Sequence, residues 1–277
     1  MNIDNKNEQQ IYKLDMLYNE EIERSIRQTR HYVREIFEEN YEKPECNKSG
    51  IISLVNMTTN AAIFENSSRG KTVAALNFAS YKNPGGGFLK GHVGQEESLC
   101  KHSTLYNVLS AFAEDYYIPN KLHRLNDGLY EDNLLYSKDI AFFLNKKYDR
   151  FVKCDIITCS APNFYVASSN GVTRNKCFDV LKRRIEFVYK VASNEDVDTL
   201  ILGAWGCGAG ECIPSDVAVA MFMMLEDYRF MFDNIIFAIP GDTMGEKYST
   251  IEKCFDIQLQ EDRILNRKDR ILNRNCY

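Results

Sequence analysis

The sequence has no CxxC pair, only one tryptophan, and no apolar run approaching the roughly 18 residues a membrane span needs. Its opening, MNIDNKNEQQIYKLDM, contains no apolar signal region, so the expectation is a cytoplasmic protein. No G-x-x-x-x-G-K-[ST] occurs, and G-x-G-x-x-G is not matched where a helix would open. Neither a P-loop ATPase nor a nicotinamide enzyme is favoured.

Metal-ligand spacing is missing too. The nearest pairs, Cys154/Cys159, Cys207/Cys212 and Cys100/His102, do not match the two-residue knuckle of structural zinc sites, so no metal and no cofactor are expected. Nine cysteines, an odd number, fit buried reduced thiols better than a disulfide framework. The four histidines are scattered, and spacing alone pairs none of them with a nucleophile. The net charge of -5 and the lack of a basic, aromatic-laced stripe argue against direct readout of nucleic acid.

What is present is an ordinary globular composition, 44% hydrophobic and 26% charged over 277 residues, enough for a sizeable core. Short, nearly continuous apolar runs recur at 51–55, 72–79, 154–162, 198–206 and 234–241, the pattern of strands buried on both faces. Helical periods lie between them. In NKCFDVLKRRIEFVYKVA, Phe178, Leu181, Ile185 and Val188 form an apolar face, with Lys182, Arg183 and Arg184 assigned to the other. SDVAVAMFMMLEDY is read as a helix capped by Ser215 after Pro214, with Met221, Met223 and Met224 as core filler. The alternation predicts an α/β/α sandwich with a mixed, largely parallel sheet.

Two glycine-rich stretches directly follow predicted strands: NPGGG after TVAALNFA, and GAWGCGAG after DTLIL. Ligands of such sheets collect at the carboxyl ends of the strands, and bare backbone N–H groups there can surround phosphate oxygens. One phosphate-bearing ligand between two loops is the expectation. Trp205 is read as core. Residues 8–40 read as charged helix with apolar positions at Ile22, Ile26, Val33 and Ile36, which makes 1–45 a helical accessory segment and 46–258 the core. The tail, 259–277, carries a tandem repeat, DRILNRK then DRILNRN, with no catalytic part assigned to it.

GGG, seven residues FLKGHVG, then QEE resembles the signature of poly(ADP-ribose) glycohydrolases. The flanks LNFASYKNPGGG and ESLCKHSTLY resemble its microbial branch, and SAPN and LGAWGCGAG follow in family order, so the resemblance spans roughly 50–245. It implies a macrodomain that binds ADP-ribose and cuts ribose–ribose bonds of the polymer without metal. Its partners would be poly(ADP-ribose) or ADP-ribosylated macromolecules, not a membrane. By resemblance Glu97 is catalytic, Glu96 contacts ribose hydroxyls and Asn77 faces the distal ribose, while Gln95 orients the glutamates. Gly85, Gly86 and Gly87 would form one wall of the cleft, and Gly206, Cys207, Gly208 and Ala209 the other.

A carboxylic acid of raised pKa suits protonation of a departing glycosidic oxygen, and an ionised neighbour suits oxocarbenium character. One departure stands out: where the family pattern reads Gly-Cys-Gly-x-Phe-Gly, this chain has Gly210 at the aromatic position. Removal of a single ADP-ribosyl group, or binding without turnover, are the alternatives.

Overall fold

The computed structural model describes residues 5–67, 70–123, 125–145, 147–241 and 248–256; the tail repeat lies outside the described residues. Seven strands form one sheet: β1 (Arg30–Val33), β2 (Ile51–Val55), β3 (Val73–Phe78), β4 (Asn133–Phe143), β5 (Phe151–Cys159), β6 (Thr199–Leu202) and β7 (Asn234–Ala238). Their spatial order is β1-β4-β5-β3-β6-β7-β2. β2, β7, β6, β3 and β5 pair in parallel, whereas β4 is antiparallel to both β5 and β1.

The named helices are α1 (Lys6–Gln28), α2 (Arg34–Glu38), α3 (Thr59–Asn66), α4 (Gln95–Lys101), α5 (Leu105–Ser110), α6 (Ile118–His123), α7 (Phe164–Ser169), α8 (Arg174–Asn194) and α9 (Pro214–Tyr228), and residues 248–256 are helical as well. Successive strand residues point to opposite faces, and here that parity separates two cores. Ala74 and Leu76 of β3 join Ile157, Leu200 and Phe237 beneath α8 and α9. Val73 and Ala75 join Ile156, Ile201 and Ile236 against α3, α4 and α5, with Ile22 of α1. Helices therefore cover both faces of the sheet.

Three sequence readings need correction. The helix expected over 8–40 stops at Gln28, and Arg30–Val33 is an edge strand. With a single neighbour and mostly exposed side chains, it has no apolar run to betray it. α4, opened by the paired glutamates, ends at Lys101, and Ser103 beyond it bridges to Phe142 of β4. α9 is entered from Ile213 with Pro214 in its first turn, so Ser215 is not the cap, and Met223 is half exposed while Met221 and Met224 are buried. Arg184 is fully buried. β4 was not anticipated: its apolar run is interrupted at Ser137–Ile140, where the register shifts and Asp139 takes φ 58°.

Candidate active site

Parity of β3 places Asn77 on the face covered by α4. It sits beside Thr158 of β5 in register, donating from Nδ2 to Thr158 Oγ1 at 3.3 Å and to Glu96 Oε1 at 3.2 Å. The side chain is fully buried, so Asn77 reaches the cleft through Glu96. Gln95 secures the other side of the same helical turn: its Oε1 accepts from Phe78 N–H at 2.9 Å, and its Nε2 donates to Leu76 O at 2.8 Å and Thr59 Oγ1 at 3.2 Å. The first turn of α4 is thus tied to the end of β3.

Glu96 and Glu97 open into a cleft of about 530 Å³. Its lining includes Gly86, Gln95 and both glutamates on one side, with Trp205, Gly206, Gly208, Ala209 and Gly210 on the other. Both glycine loops meet at this one cleft. Gly85, Gly87 and Cys207, expected in its walls, are set back from it. Gly85 packs its Cα toward Tyr106 and Cys100, and Cys207 is buried in the core beneath α9. Gly87 contributes its backbone N–H, which donates to Glu97 Oε1 at 2.8 Å. Trp205 is wholly buried, with Nε1 donating to Cys159 O at 3.1 Å.

The two carboxyl groups have different surroundings. Glu96 is only 3% exposed and accepts Ser80 N–H at 2.7 Å on Oε2. Burial pushes its carboxyl up to about 8; the Ser80 and Asn77 hydrogen bonds pull against that shift and the neighbouring Glu97 adds to it. Glu97 is more accessible. A Cβ on Gly94, which precedes α4, would lie 2.4 Å from Glu97 Oε2, so a side chain there would displace the Glu97 carboxyl. Among the described residues, no group of three His, Cys, Asp or Glu side chains is placed to hold a metal.

Several contributors escaped the sequence reading. Ser80 acts through its main chain, which no side-chain motif reveals. Asn5 and Asn7, at the start of α1, donate from Nδ2 to Leu89 O and Phe88 O at 2.6 Å each, tying the N-terminal helix to the loop between the glycines and QEE. Arg184 donates to Asp132 Oδ1, Ser160 O and Leu129 O at 2.8–2.9 Å. It thereby fixes the SAPN loop and the segment carrying Tyr130, which lines the cleft stacked on Tyr81.

A family model described as the microbial-type PARG catalytic domain matches residues 5–145. The chain belongs to that family. The match begins far ahead of the residue 50 at which the sequence resemblance starts, so it takes in α1 and β1. Crystal structures of bacterial family members superpose well. Poly(ADP-ribose) glycohydrolase from Thermomonospora curvata is 30% identical with a TM-score of 0.76, over 85% of this chain and 88% of that one. The same enzyme bound to the inhibitor ADP-HPD is 30% identical with a TM-score of 0.72, over 84% and 88%. The Deinococcus radiodurans enzyme in complex with ADP-ribose is 31% identical with a TM-score of 0.75, over 87% and 97%. No curated protein sequence matches the chain.

The family pattern also gives meaning to Glu211. It occupies the place of the last glycine in Gly-Cys-Gly-x-Phe-Gly and has φ 52°, a left-handed conformation that glycine adopts without strain. At Gly210, a Cβ would lie 3.1 Å from Gly206 O and 3.3 Å from Pro162 O, so the position is tight for any side chain.

Proposed function

We propose that this protein hydrolyses ribose–ribose bonds of poly(ADP-ribose) and releases ADP-ribose, with Glu97 as the proton-transferring group. The observation that carries the reading is the juxtaposition of two adjacent carboxyl groups with the Gly206–Gly210 loop across a single cleft. Backbone N–H groups of that loop suit the pyrophosphate, which would bring the distal ribose against α4. Glu97, the more accessible carboxyl, delivers a proton to the departing oxygen and afterwards assists attack by water. Glu96, held neutral near pH 7 by burial, offers an O–H to a ribose hydroxyl while Asn77 and Ser80 fix its orientation.

We assign catalysis to the 46–258 core, with α1 bracing the catalytic loop through Asn5 and Asn7. The cysteine content fits a cytoplasmic setting, and no helix among the described residues is long and apolar enough to cross a membrane. The partners in this reading are the polymer and ADP-ribosylated macromolecules. Incubation with automodified polymer beside a mono-ADP-ribosylated protein, with released ADP-ribose followed over time, tests it. Product from polymer supports the reading; product from the mono-modified protein alone gives way to mono-ADP-ribosyl hydrolysis, and product from neither to a binding module.

A further inference from the structure

Glu97 lies at the junction of two spaces. Besides the catalytic cleft it lines an adjoining groove of about 450 Å³, and Ser80, Gly86 and His92 also line both. The groove's volume is in the range of small-molecule sites. Asn83, Pro84, Leu89, Lys90 and Tyr106 line the groove and not the cleft. Their side chains are accessible: Asn83 and Lys90 are exposed, and Pro84, Leu89 and Tyr106 are half-buried.

The position of Glu97 says what such a groove is for. In the reading above, the unit to be released fills the cleft from the Gly206–Gly210 loop to α4, with its distal ribose against the glutamates. An acid that protonates a glycosidic oxygen stands where the released sugar ends and the leaving group begins. With the released unit in the cleft, the groove is the neighbouring space that shares the acid.

Charge narrows the choice of occupant. Lys90 makes no ion pair among the described residues, and Glu97 is the one carboxylate in the groove lining. The main chain that carries the Lys90 ammonium is well held: its N–H donates to Gly87 O at 2.9 Å, and the carbonyl of Leu89 accepts Asn5 Nδ2 at 2.6 Å. A lysine in such a place suits a phosphate as a point charge. In poly(ADP-ribose) the scissile oxygen belongs, on its leaving side, to the adenosine ribose of the next unit, which carries a pyrophosphate.

We infer that the groove beyond Glu97 holds the leaving ADP-ribose unit, its adenosine against Pro84, Leu89 and Tyr106 and a phosphate on the Lys90 ammonium. This rests on the polymer reading given above. It makes the protein a reader of the chain on both sides of the bond it cuts, with Glu97 between the two sites.

The test compares two substrates: polymer, and an aryl 1″-O-glycoside of ADP-ribose, which keeps the unit to be released but has no leaving-side nucleotide. Lys90→Glu turns an attracting charge into a repelling one. The expected result is about a tenfold loss of kcat/KM on polymer at low salt, shrinking as salt is raised, with the aryl glycoside unchanged. Lys90→Arg should retain most of the polymer activity. Asn83→Trp is a second variant, which fills the groove from an exposed position whose main chain stays bonded to Ser80 Oγ and Gly86 N–H. It should show the same selective loss without the salt dependence. Equal losses on both substrates, a Lys90→Glu loss indifferent to salt, or no loss in folded variants would overturn the inference. Wild-type protein that fails to cleave polymer, whether or not it cleaves the aryl glycoside, would instead remove the polymer reading on which it rests.

Discussion

Gly86 leaves the space that Glu97 occupies: a Cβ at position 86 would lie 2.7 Å from Glu97 Oε1 and 2.9 Å from Glu96 Oε2. The glycine is also left-handed, at φ 61°. Gly86→Ala should therefore displace both carboxyl groups, at a backbone cost of about 1–2 kcal/mol. The expected outcome is a folded variant with turnover lowered on the order of a hundredfold, since small misplacements of reacting groups are that costly. Steady-state kinetics with a thermal melt measure it. Near-wild-type turnover would mean that the glutamates need not sit where this glycine lets them.

Glu96 makes stability depend on pH in a defined direction. Its folded pKa, about 8, lies above the ordinary glutamate value of 4.5, so the folded protein keeps a proton that the unfolded chain gives up. The resulting stabilisation is complete below about pH 4.5, shrinks as pH rises through the window between the two values, and is lost above about 8. Within that window the slope for one proton is about 1.4 kcal/mol per pH unit. Glu96→Gln cannot ionise and lacks this slope. Denaturant titrations from pH 5 to 8 should show the difference between wild type and variant moving steadily in the variant's favour; a constant difference would place the Glu96 carboxyl in the ordinary range.

The parts of the fold legible in the sequence were those where burial writes a period into the residues. β3, β5, β6 and β7 are buried over most of their length, and their apolar runs announce them; β2, an edge strand with no fully buried residue, still shows in its run of Ile51, Ile52, Leu54 and Val55. β1 has one neighbour and four largely exposed residues, so nothing in RHYV distinguishes it from the charged helix before it. Arg184 reads as surface from its charge, yet 181, 184, 185 and 188 fall on one helical face. The arginine is buried there because Asp132 and three backbone carbonyls meet it. The glutamates and glycines could be read from the signature alone. Which glycine faces ligand and which makes room for protein atoms could not, since that depends on the turn between Asn83 and Lys90.

Gly208 faces the open cleft. A Cβ there meets nothing within 4 Å, whereas Cβ atoms at Gly206 and Gly210 would press on neighbouring protein atoms. Gly208→Val should fold normally and place its branched side chain in the open cleft where the pyrophosphate is proposed to lie. ADP-ribose affinity, measured by calorimetry, should fall at least tenfold with the melting temperature little changed. Unaltered affinity would take this loop out of the binding site.

The two glutamates are separable by substitution because Glu96 is almost fully buried while Glu97 is half-buried. Glu97→Gln preserves shape and can still accept the Gly87 N–H, but removes the transferable proton. Turnover on polymer should fall by about two to four orders of magnitude, the usual scale of general acid–base catalysis, while ADP-ribose affinity barely changes. Glu96→Gln leaves an amide where a neutral carboxyl stood, with Ser80 N–H and the Asn77 amide still pointing at it. One of those donors then confronts the glutamine NH₂, so the ribose contact should loosen in the ground state as well as in the transition state, and both affinity and rate should drop. Kinetics on polymer, ADP-ribose titration and a melt for each variant distinguish the roles. If folded Glu97→Gln turns over normally and Glu96→Gln is inert, the buried carboxyl with the raised pKa is the acid, and the roles of the two residues are exchanged.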